Sequence, residues 1–107
     1  MSMNIDVVEE RPSEGEVLLR VSGDVNIHTS PQLRSKLKPL LTDEKKVIRV
    51  ALDGVHFMDS SGIATLIEGL QWSRDTGGRF VLSGLTETVR DVLSLSKLDS
   101  VFEIEDA

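Results

Sequence analysis

Val47-Ile48-Arg49-Val50-Ala51-Leu52-Asp53-Gly54-Val55-His56-Phe57-Met58-Asp59-Ser60-Ser61-Gly62-Ile63 changes its hydrophobic period halfway along. From Lys46 to Leu52 the apolar residues Val47, Ile48, Val50, Ala51 and Leu52 are nearly continuous. Such a run predicts a strand buried on both faces, hence a central one. Asp53-Gly54 punctuates it, and a helix begins at Asp59-Ser60-Ser61-Gly62. Ile63, Leu66, Ile67 and Leu70 then follow at i, i+3, i+4 and i+7, the clearest helical stripe in the chain. Gly77-Gly78 ends that helix.

Toward the N-terminus, Ile5, Val7 and Val8 predict an edge strand, and residues Arg11 to Gly15 read as a turn. Glu16 to Ser22 is a clear strand, with Val17, Leu19 and Val21 pointing one way and Leu18 the other. Gly23 ends it, and a loop runs from Asp24 to Thr29. Ser30 reads as the N-cap of a helix with Pro31 at its first position. Leu33, Leu37, Leu40 and Leu41 form its apolar stripe; Pro39 should kink or shorten it. Arg34, Lys36 and Lys38 fall off the stripe and read as a solvated face.

Toward the C-terminus, Phe80-Val81-Leu82 predicts a short buried strand. Thr86 caps a third helix that buries Val89, Val92 and Leu93, and Val101 to Ile104 forms a last strand. Glu103, Glu105 and Asp106 read as a solvated acidic tail. The order strand, strand, helix, strand, helix, strand, helix, strand predicts an α/β fold. Its mixed sheet should have four to five strands, with about three to four helices.

The chain has 107 residues, 18 acidic and 12 basic, for a formal net charge of -6. This length predicts one domain, residues 1–107, with its core at about 16–103 and no attached catalytic or sensor domain. One Trp, three Phe and no Tyr leave the core to Leu, Val and Ile. The absence of Cys excludes disulfides and thiolate metal sites. An acidic balance argues against nucleic-acid binding, and its plain reading is solubility. No basic-apolar leader is visible, and nothing approaches the ~20 apolar residues of a membrane span. A cytoplasmic location without direct membrane insertion is the expectation.

Enzyme templates fail. There is no GxxxxGK[ST] loop and no GxGxxG. Ser60 has Met58 two residues before it, where a nucleophile elbow needs Gly. His28 and His56 are the only histidines, and neither has a ligand-spaced partner. No catalytic residue, metal or cofactor is predicted. A small hydrolase using Ser60 and His56 remains the enzymatic alternative, although four residues across a turn do not aim an imidazole at a hydroxyl; His56 reads as a strand-end side chain. Trp72 reads as a helix-packing residue, partly exposed.

The plain reading of Asp59-Ser60-Ser61-Gly62 is a helix cap. Two serines and an aspartate exceed what one cap needs, and the glycine permits a close approach. A hydroxyl at a helix N-terminus is also placed to carry a phosphate, which the helix dipole favours.

At this point the sequence resembles a known family. The Val47–Ile63 segment resembles the signature of STAS domains, and more narrowly that of bacterial anti-sigma factor antagonists (anti-anti-sigma factors). Gly23-Asp24-Val25-Asn26 occupies the place of that family's Gly-Glu-Leu-Asp loop, and the resemblance extends from Glu16 to Glu103. It implies a STAS-like fold and a switch protein rather than an enzyme. In the family, the first serine of Asp-Ser-Ser-Gly, here Ser60, accepts phosphate from a partner that is both anti-sigma factor and serine kinase. The unphosphorylated form binds that partner and frees the sigma factor; phosphorylation abolishes binding and a serine phosphatase restores it. Asp24, Asn26, Thr29, Asp59, Ser61 and Gly62 are the expected partner-binding neighbours. Asn26 stands where the family carries an aspartate, and an amide cannot replace a carboxylate against an Arg; its plain reading is a turn residue. A monomer forming heteromeric complexes is expected. A second reading is a cytoplasmic STAS subunit of an ABC-type lipid or solute transporter, and the kind of partner separates the two.

Overall fold

A computed structural model of the chain describes residues 4–41 and 46–105. The elements run β1 (Asp6–Ser13), β2 (Glu16–Ser22), α1 (Ser30–Leu40), β3 (Val47–Gly54), α2 (Ser60–Asp75), β4 (Arg79–Ser83), α3 (Glu87–Leu95) and β5 (Glu103–Glu105). The five strands lie side by side in chain order. β1 is antiparallel to β2 through a tight turn at Glu14-Gly15. The pairs β2·β3, β3·β4 and β4·β5 are parallel. This is the expected α/β fold, a mixed five-stranded sheet with three helices.

Each parallel pair is joined by one helix. Because such crossovers are right-handed, a sheet laid down in consecutive order receives all its helices on one face. Register shows which face. Val17 pairs with Ile48 and Ile48 with Phe80; Leu19 pairs with Val50, Val50 with Leu82 and Leu82 with Ile104. These rows form one core cluster with Leu33 and Leu37 of α1, Leu66 and Leu70 of α2, and Val89 and Leu93 of α3.

The opposite face carries the alternate residues, and there the structure refines two expectations. On that side of β3, Val47 and Arg49 are half-buried while Ala51 is buried, so the strand is covered on both faces only near its middle. Glu103 and Glu105 are not a solvated tail. Strand β5 brings them beside arginines, so that Arg49 pairs with Glu16 at 2.7 Å and with Glu105 at 2.9 Å, and Arg79 pairs with Glu103. Arg20 and Glu10 add a further pair at 2.8 Å. Asp106 lies outside the described residues. This lattice, rather than a second helical layer, shields Val81, which is fully buried outside the core cluster.

The lattice predicts acid sensitivity. The Ser13 hydroxyl and then Arg49 hold the Glu16 carboxyl below the usual carboxylate range, and Arg79 does the same for Glu103. A carboxylate with a lowered folded pKa contributes stability above its unfolded value, near pH 4.3. That contribution is lost as pH falls through the folded value. The urea midpoint is therefore expected to drop steeply below about pH 4.3, and Arg49→Met should make that drop shallower. Equal slopes in the two proteins would show that the lattice does not couple to folding.

Smaller differences have local causes. The helix α1 N-cap is Thr29, not Ser30, and the Thr29 side chain makes no capping bond because it is committed within the preceding loop. Residues 11–13 are strand rather than turn, since β1 follows β2 as far as the Ser13–Glu16 pair. Asp53-Gly54 lies inside β3, and Gly54 pairs with Ser22. Strand β5 starts at Glu103, with Val101 exposed and Phe102 buried. Pro39 sits in the last turn of α1, and the helix stops one residue later. Lys36 and Lys38 are solvated as expected, but Arg34 bonds Glu68 at 3.2 Å and lies 5.4 Å from the centroid of half-buried Trp72.

Candidate functional site

Two loops meet at the C-terminal ends of β2 and β3. Gly23 leaves β2 with φ +106, a backbone that side chains disfavour, and its N–H donates to the Gly54 carbonyl at 3.0 Å. Val25 then forms a parallel bridge with Met58. The Val25 N–H donates to the Phe57 carbonyl at 3.0 Å, and the Asp59 N–H donates to the Val25 carbonyl at 3.1 Å. The loop after β2 is thereby laced to the segment that opens α2.

Asp59 is the N-cap of α2, in extended backbone, and its Oδ1 accepts from the Ser61 N–H at 2.9 Å and the Gly62 N–H at 3.4 Å. One carboxylate thus fulfils the capping function. Ser61 is half-buried, and its carbonyl accepts from Thr65 Oγ1 at 3.0 Å. Ser60, the first residue of the helix, is exposed, and among the described residues its hydroxyl has no hydrogen-bond partner. The cap reading therefore belongs to Asp59 and leaves the Ser60 oxygen available.

Gly62 answers a packing demand. A Cβ there would stand 2.6 Å from Met58 Cγ and 2.8 Å from Val25 Cγ1. Only glycine lets α2 seat on the bridged pair, and the residue is buried. The close approach expected there is real, but side chains make it.

Asn26 and Thr29, expected as partner-binding neighbours, are 1% and 0% exposed, so any effect they have on a partner runs through the shape of the loop. Asn26 Oδ1 accepts from the His28 N–H at 2.8 Å and the Thr29 N–H at 3.1 Å, the side-chain turn that asparagine favours. Thr29 Oγ1 accepts from the Asn26 N–H at 2.9 Å and donates to the Asp24 carbonyl at 2.7 Å. These two residues shape the loop from inside. The half-buried Asp24 and Asp59 remain at the surface with Ser60, and among the described residues neither carboxylate pairs with a cation.

The residue that sequence reasoning passed over is Ile27. It is 66% exposed at the tip of this loop. Its signal was present: an isolated β-branched apolar side chain between Asn26 and His28, belonging to no stripe.

Alternative chemistries find less support. His56 and Ser60 are both exposed, and among the described residues no hydrogen bond joins them. No group of three acidic or histidine side chains among the described residues is placed to hold a metal. A cavity of about 300 Å³ lies between the C-terminal ends of α1 and α2, lined by Lys38, Leu41, Trp72, Asp75 and Thr76, at the far end of α2 from Ser60. No helix among the described residues is long and apolar enough to cross a membrane.

Similarity to known proteins converges on one family. The sequence profile of the STAS domain matches residues 7–107. The anti-sigma-B factor antagonist of Bacillus subtilis (strain 168) is 26% identical over 104 residues, spanning 97% of this chain and 92% of that protein. The solved structure of the anti-sigma factor antagonist SpoIIAA in its unphosphorylated form superposes with a TM-score of 0.79 at 25% identity, covering 95% of this chain and 88% of that one. The Bacillus cell fate determinant SpoIIAA in the phosphorylated form shares the fold, with a TM-score of 0.74 at 24% identity over 95% of this chain and 91% of that one.

Proposed function

The chain belongs to the STAS domain family, and we propose that it is an anti-sigma factor antagonist whose binding is switched by phosphorylation of Ser60. The observation that carries this is the division of labour at the start of α2. Asp59 alone caps the helix, and the hydroxyl beside it is exposed and uncommitted. In the unphosphorylated state the surface around Ser60 docks on an anti-sigma factor that is also a serine kinase, and the sigma factor is released. The kinase transfers the γ-phosphoryl group of ATP to Ser60 Oγ. An O–P bond forms as the bond to ADP breaks, and the hydroxyl proton passes to a base of the kinase.

Electrostatics gives the transfer its effect. The Ser61 and Gly62 amides that would otherwise greet a phosphate are already held by Asp59. The added charge, about -1.5 to -2, therefore stands beside a carboxylate that already holds two of the helix's first amides. It alters a docking surface without requiring the fold to move, and a serine phosphatase reverses it. The protein acts as a monomer that forms heteromeric complexes.

The test is phosphate labelling. With labelled ATP and the anti-sigma serine kinase of its own host, the parent protein and Ser61→Ala should be labelled and Ser60→Ala should not. Labelling of Ser60→Ala to the parent's extent would exclude Ser60 as acceptor. A pull-down that retrieves a membrane permease and no anti-sigma kinase would overturn the pathway assignment.

A further inference from the structure

We infer that Ile27 is the apolar anchor of the docking surface, and that the partner presents an apolar socket rimmed by Lys or Arg. This rests on the reading of Ser60 as the switch and adds what the switch controls.

An isolated exposed aliphatic residue is ordinarily unremarkable on a protein surface. Ile27 differs in how it is held. The residue before it is buried and its side chain accepts from the two amides that follow Ile27, those of His28 and Thr29. The Thr29 hydroxyl ties the loop at both ends, from the Asn26 N–H to the Asp24 carbonyl. Two further backbone bonds lace Val25 to Phe57 and Asp59. The tip is therefore rigid, and its β-branched side chain has little rotamer freedom left to lose. A preorganised apolar knob loses little entropy on docking, which is what an interface anchor requires.

Its surroundings define the partner. Asp24 belongs to the same loop and Asp59 is bonded to it through Val25; both are half-buried, and neither carboxylate has a cation partner among the described residues. On the open sheet face, by contrast, Glu10, Glu16, Glu103 and Glu105 are all paired with arginines of this chain. An apolar knob with an acidic rim is complementary to a hollow with a basic rim. Ile27 follows Val25, whose bridge to Met58 places the loop beside the start of α2. A phosphate on Ser60 would then lie at the margin of the same contact.

The test uses the full chain and the anti-sigma serine kinase that binds it. Ile27→Ser should weaken that binding about 10- to 100-fold, mostly through faster dissociation. Ile27→Val should stay within a few-fold of the parent, and both variants should melt with the parent because the side chain is exposed. Parent affinity should also fall as salt is raised, since the rim contact is ionic. If Ile27→Ser binds as the parent does, or affinity is indifferent to salt, the anchor or its rim is overturned while the Ser60 reading stands. If the parent itself does not bind the kinase, the Ser60 reading fails and this inference fails with it.

Discussion

Phosphorylation of Ser60 is expected to weaken binding to the anti-sigma kinase by about 100-fold or more while leaving the melting temperature nearly unchanged. The first half follows from position. Ser60 is exposed, lies one residue from the Asp59 carboxylate, and is followed by two amides, those of Ser61 and Gly62, that Asp59 already occupies. A phosphate dianion there must be desolvated against a surface that fits a neutral hydroxyl. Misplaced charge in an interface costs several kcal/mol, and each 1.4 kcal/mol is tenfold in affinity. The second half follows from the cap. Because Asp59 holds Ser61 and Gly62, the phosphate displaces no existing bond of Ser60. Titration calorimetry of the phosphorylated and unphosphorylated forms, with thermal melts of each, separates the effects. A change of less than about threefold in affinity, well under 1 kcal/mol, would sink the switch. A large fall in melting temperature would mean that the phosphate acts by disrupting the fold.

Leu66→Ala is expected to be the most damaging of the variants considered for stability, with no direct effect on the Ser60 surface. Leu66 is 0% exposed on the core side of α2, within the cluster that joins helices to sheet. Truncating a buried leucine removes its transfer energy and leaves a cavity, together about 2–5 kcal/mol. That is a large part of the roughly 5–15 kcal/mol holding a domain of this size together. At about 4–8 °C per kcal/mol, the melting temperature should fall by at least about 8 °C. Denaturant titration gives the free energy directly, and a loss below about 1 kcal/mol would mean that the core collapses around the gap. In a kinase assay at low temperature the folded fraction should still accept phosphate, because the acceptor lies on the helix's first turn and the cavity on its inner face. Ser60→Ala is the opposite case: it should abolish labelling and leave stability alone.

Much of this was legible along the chain. The apolar run from Val47 to Leu52 announced the central strand, and the Ile63–Leu66–Ile67–Leu70 stripe announced α2 and its buried side. Thr86 and Asp59 were readable as cap-forming residues because caps bond to amides two or three positions away. The site motif was legible for the same reason, since Asp59, Ser60 and the helix start are neighbours in sequence. The turn made by Asn26 and the close approach at Gly62 were legible too, but the facing of Asn26, Thr29 and Gly62 was not. Their motif placed them near Ser60 but did not say which way they face, and all three turn inward.

The sequence by itself determined the order of elements, the mixed character of the sheet, the start of α2 and the residue beside its cap. These rest on periodicity and on hydrogen bonds between near neighbours. The tertiary structure alone decided what depends on register between distant segments. It set Arg49 against Glu16 and Glu105, 33 and 56 residues away. It brought Val25 against Met58, leaving Gly62 no room for a side chain. By burying Asn26 and Thr29 it left Ile27 standing outside. Whether a polar side chain meets solvent or a loop's own amides is settled by how that loop is pinned, and the pins here come from the other side of a 33-residue crossover between Val25 and Met58.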